Sequence, residues 1–245
     1  MVDVAESQAA TVVLVHGGGD GAWIWEPLGL ELDALGIPHV EVDLPTMGVG
    51  VDPALDSHTD AAHVRAMLDR LVGPILLCGN SYGGLVITEA SAGHANVVQL
   101  VYLAAFMPDA DDELIAFVTT NCTPELMDGS NFGDDGLLVF DPESSKKYAL
   151  QQSAPEVAAW AADRLRPMAV GGGRLSTVSG VGWRTIPSTY VVCTEDLTLQ
   201  PDSQRRWAAE RATDSVQFPF DHCPQLSHPA EVAVLLAKLA AASSQ

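Results

Sequence analysis

Residues 79–84 read Gly-Asn-Ser-Tyr-Gly-Gly and follow directly on the apolar run Ile-Leu-Leu-Cys at 75–78. A short apolar run behind Pro74 predicts a buried strand. The residues after the glycines, Leu-Val-Ile-Thr-Glu-Ala, predict a helix. One serine therefore stands at a strand-to-helix reversal, among residues chosen for sharp turning and close backbone approach. Gly79, Ser81 and Gly83 match G-x-S-x-G, in which a strained turn projects the serine hydroxyl toward solvent. A glycine-rich turn with an incidental serine satisfies the same pattern, so the rest of the chain must discriminate.

The flanking segments alternate. Residues 11–16 form an apolar strand ending in glycines, 23–35 a helix closed by Gly36 and Pro38, 39–45 a second strand and 57–72 a second helix. The strand at 75–78, the reversal and a fourth strand at 97–106 follow. The rhythm then breaks for about 80 residues, in which Asn-Phe-Gly-Asp-Asp-Gly and Val-Gly-Gly-Gly-Arg-Leu-Ser read as loops. Residues 153–165 read as a helix capped by Ser153, with Pro155 in its first turn. Alternation resumes with a strand at 188–193, a helix from Pro201, a strand at 215–220 and a last helix over 228–241. Strand–helix repetition predicts a mostly parallel, doubly wound α/β sheet covered on both faces. The predicted division is a core of residues 1–106 and 188–245, with 107–187 inserted as a small lid or subdomain.

Composition bounds the partners. The 245 residues are 47% hydrophobic and 18% charged, enough for one large core. A formal net charge of −20 argues against nucleic acid and anionic membrane surfaces as partners. Cys78, Cys122, Cys193 and Cys223 are scattered and read as buried free thiols, which with the absence of a signal-like N-terminus or spanning apolar stretch predicts a cytoplasmic protein. Oligomeric state is not readable from the sequence, which leaves a homodimer open.

A serine hydroxyl needs a general base, and the base an orienting acid. In an open parallel sheet, chemistry gathers at the carboxyl ends of strands. Asp196 follows the strand at 188–193, and His222 follows the last strand, so the chain order is Ser81, Asp196, His222. Glu195 and Asp109 are rival acids, and His228 a rival base. The oxyanion donors expected are the backbone N–H groups of Tyr82 and Gly18, the latter on the glycine-rich loop after the first strand. That loop supports a second reading: Gly-Gly-Gly-Asp-Gly-Ala at 17–22 matches a dinucleotide fingerprint with Asp43 as the ribose acid. Against a nicotinamide-dependent oxidoreductase stand the bulk of Trp23 and Trp25 and an unexplained Ser81, Asp196 and His222. A non-catalytic ligand-binding module on the same fold is a third reading.

The stretches at 12–25, 79–84, 190–207 and 221–232 together resemble the α/β-hydrolase superfamily, in the branch of plant hydroxynitrile lyases and methyl esterases. The resemblance implies Ser81 as nucleophile, His222 as base, Asp196 as acid, and Gly18 and Tyr82 as oxyanion donors. It implies a helical cap over the pocket, and ester hydrolysis without metal or cofactor. The lyases of that branch carry threonine where this chain has Gly17 and lysine where it has Cys223, so the resemblance favours hydrolysis over C–C lysis. The substrate expected is a small-to-medium apolar carboxylic ester, lactone or thioester. Gly17, Met127, Phe132, Trp160 and Cys223 are the candidate substrate contacts. Phe117, Leu126 and Met168 are further apolar residues of the insertion, which serve equally as its own core.

Overall fold

The computed structural model describes residues 9–171 and 177–242. Six strands form one sheet: β1 (Thr11–Val15), β2 (His39–Val42), β3 (Ile75–Ser81), β4 (Val97–Ala105), β7 (Ser188–Cys193) and β8 (Asp214–Phe218). Their order is β2-β1-β3-β4-β7-β8, and every neighbouring pair is parallel. Parallel strands need crossovers, which place helices on both faces.

The side-chain period of a strand divides the core. Val13, Val15, Ile75 and Leu77 point to the face covered by α2 (Ser57–Leu68), α3 (Gly83–Ala90) and α8 (Pro201–Glu210). Val12, Leu14, Leu76 and Cys78 point to the face covered by α1 (Glu26–Ala34) and α10 (Pro229–Ala242). All eight are fully buried, which explains why these strands read as continuous apolar runs. All four cysteines are buried free thiols. Among the described residues no helix is long and apolar enough to cross a membrane.

Between β4 and β7 none of the described residues joins the sheet as a strand. The segment holds α4 (Leu114–Asn121), α5 (Pro124–Asp128), α6 (Pro142–Tyr148), α7 (Pro155–Ala162) and an antiparallel hairpin of β5 (Ser130–Phe132) and β6 (Leu138–Phe140). This hairpin corrects the loop expected at 131–136. Only Gly133 to Gly136 turn, with Gly136 at φ 79°, while Asn131 and Phe132 pair with β6. Three-residue strands carry too little periodicity to be recognised. Ser153 is not the cap of α7: Ala154 occupies that position, and the buried Ser153 hydroxyl has no partner. Pro155 does open the helix. Of the second expected loop, residues 172–176 lie outside the described residues.

The reversal from β3 to α3 brings three backbones together. A methyl group on Gly83 would overlap the Val15 carbonyl oxygen, and one on Gly84 the Phe106 carbonyl oxygen. On Gly79 it would stand 2.6 Å from the Gly83 oxygen. None of the obstructing atoms is a flexible side-chain end, so relief requires strand movement. Gly84→Ala is expected to cost at least about 2 kcal/mol of stability, read as a lowered urea midpoint with an unchanged m value.

Candidate active site

Ser81 ends β3 at φ 52°, one of two non-glycine residues with positive φ among the described residues. The register between β3 and β4 shifts at Asn80/Ser81, so the chain leaves the sheet there and turns into α3. Left-handed backbone in a non-glycine residue is uncommon and is tolerated where its surroundings enforce it. Here the enforcement comes from the close packing of Gly79, Gly83 and Gly84.

Ser81 and His222 line the same cavity, of about 350 Å³, whose other walls include Leu85, Phe106, Ile115, Leu138 and Phe140. The His222 ring is held from behind: its Nδ1 lies 2.7 Å from Asp196 Oδ2, and both residues are buried. Asp196 also accepts hydrogen bonds from the Thr198 and Leu199 amides at Oδ1 (2.7 and 2.8 Å) and from Gln204 Nε2 at Oδ2 (2.7 Å). Its four acceptor positions are thus matched by four donors, as a buried carboxylate requires. The rival acids are engaged elsewhere. Glu195 accepts from Gln152 (2.8 Å) and Asp109 pairs with Arg184 (2.5 Å). His228 stacks on Phe220.

Burial disfavours the charged form of His222, but the carboxylates of Asp196, Asp20 and Asp221 outweigh it and raise its pKa above the ordinary imidazole value. A Nδ1–H donated to Asp196 leaves Nε2 as the basic nitrogen.

Gly18 borders the cavity, packed near Met168 Sδ and Phe140. Its loop is clamped by Arg166: the Arg166 amide donates to Gly19 O (2.7 Å), its Nε to Asp20 O (2.8 Å), and its guanidinium forms two hydrogen bonds to Asp43 (3.0 and 2.6 Å). Asp43, the ribose acid of the dinucleotide reading, is thereby occupied. Tyr82 is anchored through its hydroxyl, which donates to buried Asp60 (2.7 Å), as does Thr46 Oγ1 (2.7 Å).

A sequence profile of the alpha/beta hydrolase family matches residues 12–235. The chain belongs to the α/β-hydrolase family. Within this family it is 26% identical to Methylesterase 1 of Arabidopsis thaliana, over 96% of this chain and 97% of that protein. It is 25% identical to polyneuridine aldehyde esterase of Rauvolfia serpentina, over 90% and 91%. A crystal structure of polyneuridine aldehyde esterase superposes with TM-score 0.84 over 95% of this chain and 99% of that one, at 22% identity. A pyrethroid hydrolase structure superposes with TM-score 0.80 over 97% and 99%, also at 22%. These structures share the α/β-hydrolase fold. The sequence relatives place the chain in the methylesterase-like branch, among esterase-type hydrolases.

Of the substrate contacts expected from sequence, Met127, Phe132 and Cys223 line the cavity of this α/β hydrolase, and Gly17 and Trp160 do not. An added Cβ on Gly17 would meet Asp20, Ser81 and Asn80. Trp160 packs edge-on against Trp23 at 5.3 Å, beneath the Arg164 guanidinium. Leu126 and Met168 also line the cavity, whereas Phe117 stacks on Trp207 at 4.9 Å.

Sequence reasoning assigned no role to four residues that build the site. Asn80 Nδ2 donates to the His222 carbonyl (3.1 Å) and Gln225 Nε2 to Asn80 Oδ1 (3.1 Å), tying the serine's neighbour to the histidine's backbone. Gln204 braces Asp196. The fourth is Asp20, only 9% exposed, which lines the cavity and whose carboxyl accepts no hydrogen bond from any described residue. Its position in Gly-Gly-Gly-Asp-Gly-Ala was a signal, since a carboxyl on that loop must stand near the serine.

Burial raises the Asp20 pKa to about 7, against the opposing charges of His222 and Arg166. An unfolded chain releases this proton near 3.8. Folding stability attributable to Asp20 therefore falls as pH rises from about 4 to 7 and stays low above. At about 1.4 kcal/mol per unit, the stability of Asp20→Asn relative to wild type should grow by about 2–3 kcal/mol between pH 5 and pH 8. Paired urea titrations at the two pH values check this; a pH-independent difference would contradict it.

Proposed function

We propose that the protein hydrolyses a small-to-medium apolar carboxylic ester through an acyl-enzyme on Ser81. The observation that carries this reading is a strained Ser81 facing the same apolar cavity as a buried His222 whose far nitrogen is bonded to a fully satisfied Asp196. His222 Nε2 takes the Ser81 proton as the hydroxyl oxygen attacks the ester carbonyl. The Gly18 and Tyr82 amides receive the negative charge on the carbonyl oxygen. Asp196 holds the imidazole in its useful tautomer and stabilises the imidazolium. His222 then protonates the leaving alcohol, and water repeats the sequence on the acyl-enzyme. The proton transfers and charge stabilisation in these steps come from protein groups, and water is the second nucleophile.

Apolar walls from the segment 107–187, among them Ile115, Leu126, Met127 and Phe132, support an apolar substrate and a cap role for that segment. Methylesterases among the relatives make a short-chain alcohol ester the starting point. The C–C lyase reading is the weaker one. A lyase of this branch uses a fixed cation beside the base, and this chain has Cys223, whose thiol burial holds protonated, with a pKa well above its ordinary value. The net charge and the four buried thiols support a cytoplasmic setting without nucleic-acid partners.

A fluorophosphonate should label Ser81 alone, as shown by intact mass and peptide mapping, and Ser81→Ala should lose ester turnover by at least about 10³-fold with its urea midpoint preserved. Ester hydrolysis retained in that variant would overturn the reading. Because the His222 pKa is raised, kcat/KM should climb through an acid limb above about pH 6.5. Asp196→Asn should move that limb to lower pH and reduce kcat by roughly 10³–10⁴-fold.

A further inference from the structure

The mechanism above leaves one buried group in the cavity without a task. Asp20 carries a carboxyl on a cavity whose walls, apart from Ser81, His222 and a few hydroxyl side chains, are mostly apolar, with no hydrogen-bond donor from the described residues. Trp23 lines the same cavity, and its buried indole N–H also lacks a partner. Unpartnered buried polar groups are costly, and natural interiors rarely keep them without a use. Here a donor and a carboxyl sit on one loop, two and five residues past the proposed oxyanion donor Gly18.

The position of the carboxyl follows from its neighbours. A Cβ placed on Gly17 would stand 2.9 Å from Asp20 Oδ2 and 3.2 Å from Ser81 Cβ. One carboxyl oxygen therefore lies within about 6 Å of Ser81 Cβ. A substrate carbonyl bound at Ser81 bears two further substituents on its carbon. The leaving oxygen must face His222 to be protonated. Asp20 also faces His222; with the leaving oxygen committed to His222, the acyl chain is the substituent free to offer Asp20 a polar group of its own.

We propose that Asp20 is a substrate-binding residue that selects esters bearing a hydroxyl on the carbon next to the scissile carbonyl, an inference that rests on the ester-hydrolase reading of the same cavity. A hydroxyl both gives and accepts a hydrogen bond, so it satisfies Asp20 whether the carboxyl is protonated or ionised. A ketone would be held only by the protonated form, and a free carboxylate at that place would be repelled by the ionised one. The groups facing Asp20 are His222, Cys223 and the Arg166 guanidinium. Arg166 is already committed to Asp43 and to the Asp20 carbonyl oxygen, and Cys223 is a neutral thiol.

The test uses two matched pairs, methyl mandelate with methyl phenylacetate and methyl 2-hydroxyhexanoate with methyl hexanoate. Wild-type kcat/KM should favour the hydroxy ester by about tenfold in at least one pair, the scale of one good buried hydrogen bond. Asp20→Asn should keep most of that ratio, and Asp20→Leu and Asp20→Ala should bring it to within about twofold of unity. The same ratio is read from Kd by calorimetry in Ser81→Ala and in Ser81→Ala/Asp20→Leu, where no chemistry occurs. A wild-type enzyme without preference in either pair, or a preference undiminished in the folded Asp20→Leu or Asp20→Ala variant, overturns the proposal. Binding preference without turnover of any ester would strike the hydrolase reading and leave Asp20's role standing. Turnover without preference would do the reverse.

Discussion

The contact of three backbones at the β3–α3 reversal underlies the rest of the site. Gly79, Gly83 and Gly84 let the first turn of α3 rest against carbonyl oxygens from the ends of β1 and β4. That closeness leaves Ser81 no ordinary backbone conformation, and its left-handed φ points it into the space beyond the strand ends. The same contact sets Tyr82 at the head of α3. If α3 stood an ångström further out, the serine could relax and the site would lose its reference point.

Around that reversal the protein concentrates buried polar groups and balances nearly all of them. Asp196 has four donors, Asp60 is shared by Thr46 and Tyr82, and Asn80 links the chain at Ser81 to the chain at His222. Such networks cost desolvation and return definition of geometry, since each member has one arrangement that satisfies it. Asp60 shows the tension: burial lifts its pKa to about 6, although hydrogen bonds from Thr46 and Tyr82 pull it back. His16 shows the opposite case, where burial lowers the pKa to about 4 and keeps the imidazole neutral between the Gly17 carbonyl and the Leu44 amide. Against this background Asp20 stands out as a carboxyl that opens on the cavity and accepts no hydrogen bond from a described residue, and a cavity wall is where a ligand can supply one.

The segment between β4 and β7 does more than close the cavity. Arg166 grips the backbone of Gly19 and Asp20, and Met168 bridges β6 to the chain at Met47. The wall that shapes the apolar space thus also holds the loop bearing one of the proposed oxyanion donors. The same wall also reaches the loops of the acid and the base, where the Thr123 amide donates to Thr198 O (2.9 Å) and the Gln152 amide to Asp221 (3.0 Å).

Much was legible in the chain itself. The apolar runs at 11–15, 75–78 and 188–193 are strands because both their faces are buried, and the glycine spacing around Ser81 announces the reversal. Chain order and strand ends picked Asp196 and His222 out of many acids and histidines, because parallel topology collects those ends at one edge of the sheet. The hairpin at 130–140, the cavity walls and the clamp by Arg166 were not legible. They depend on contacts between residues far apart in sequence, such as Arg166 with Asp43, and short strands carry no period of their own. Local pattern thus determined the sheet and the line of the site. Only tertiary packing decided that Trp160 would face Trp23 rather than the cavity, and that Asp20 would be left buried without a partner beside the serine, since a side chain's surroundings are set by every element packed against it.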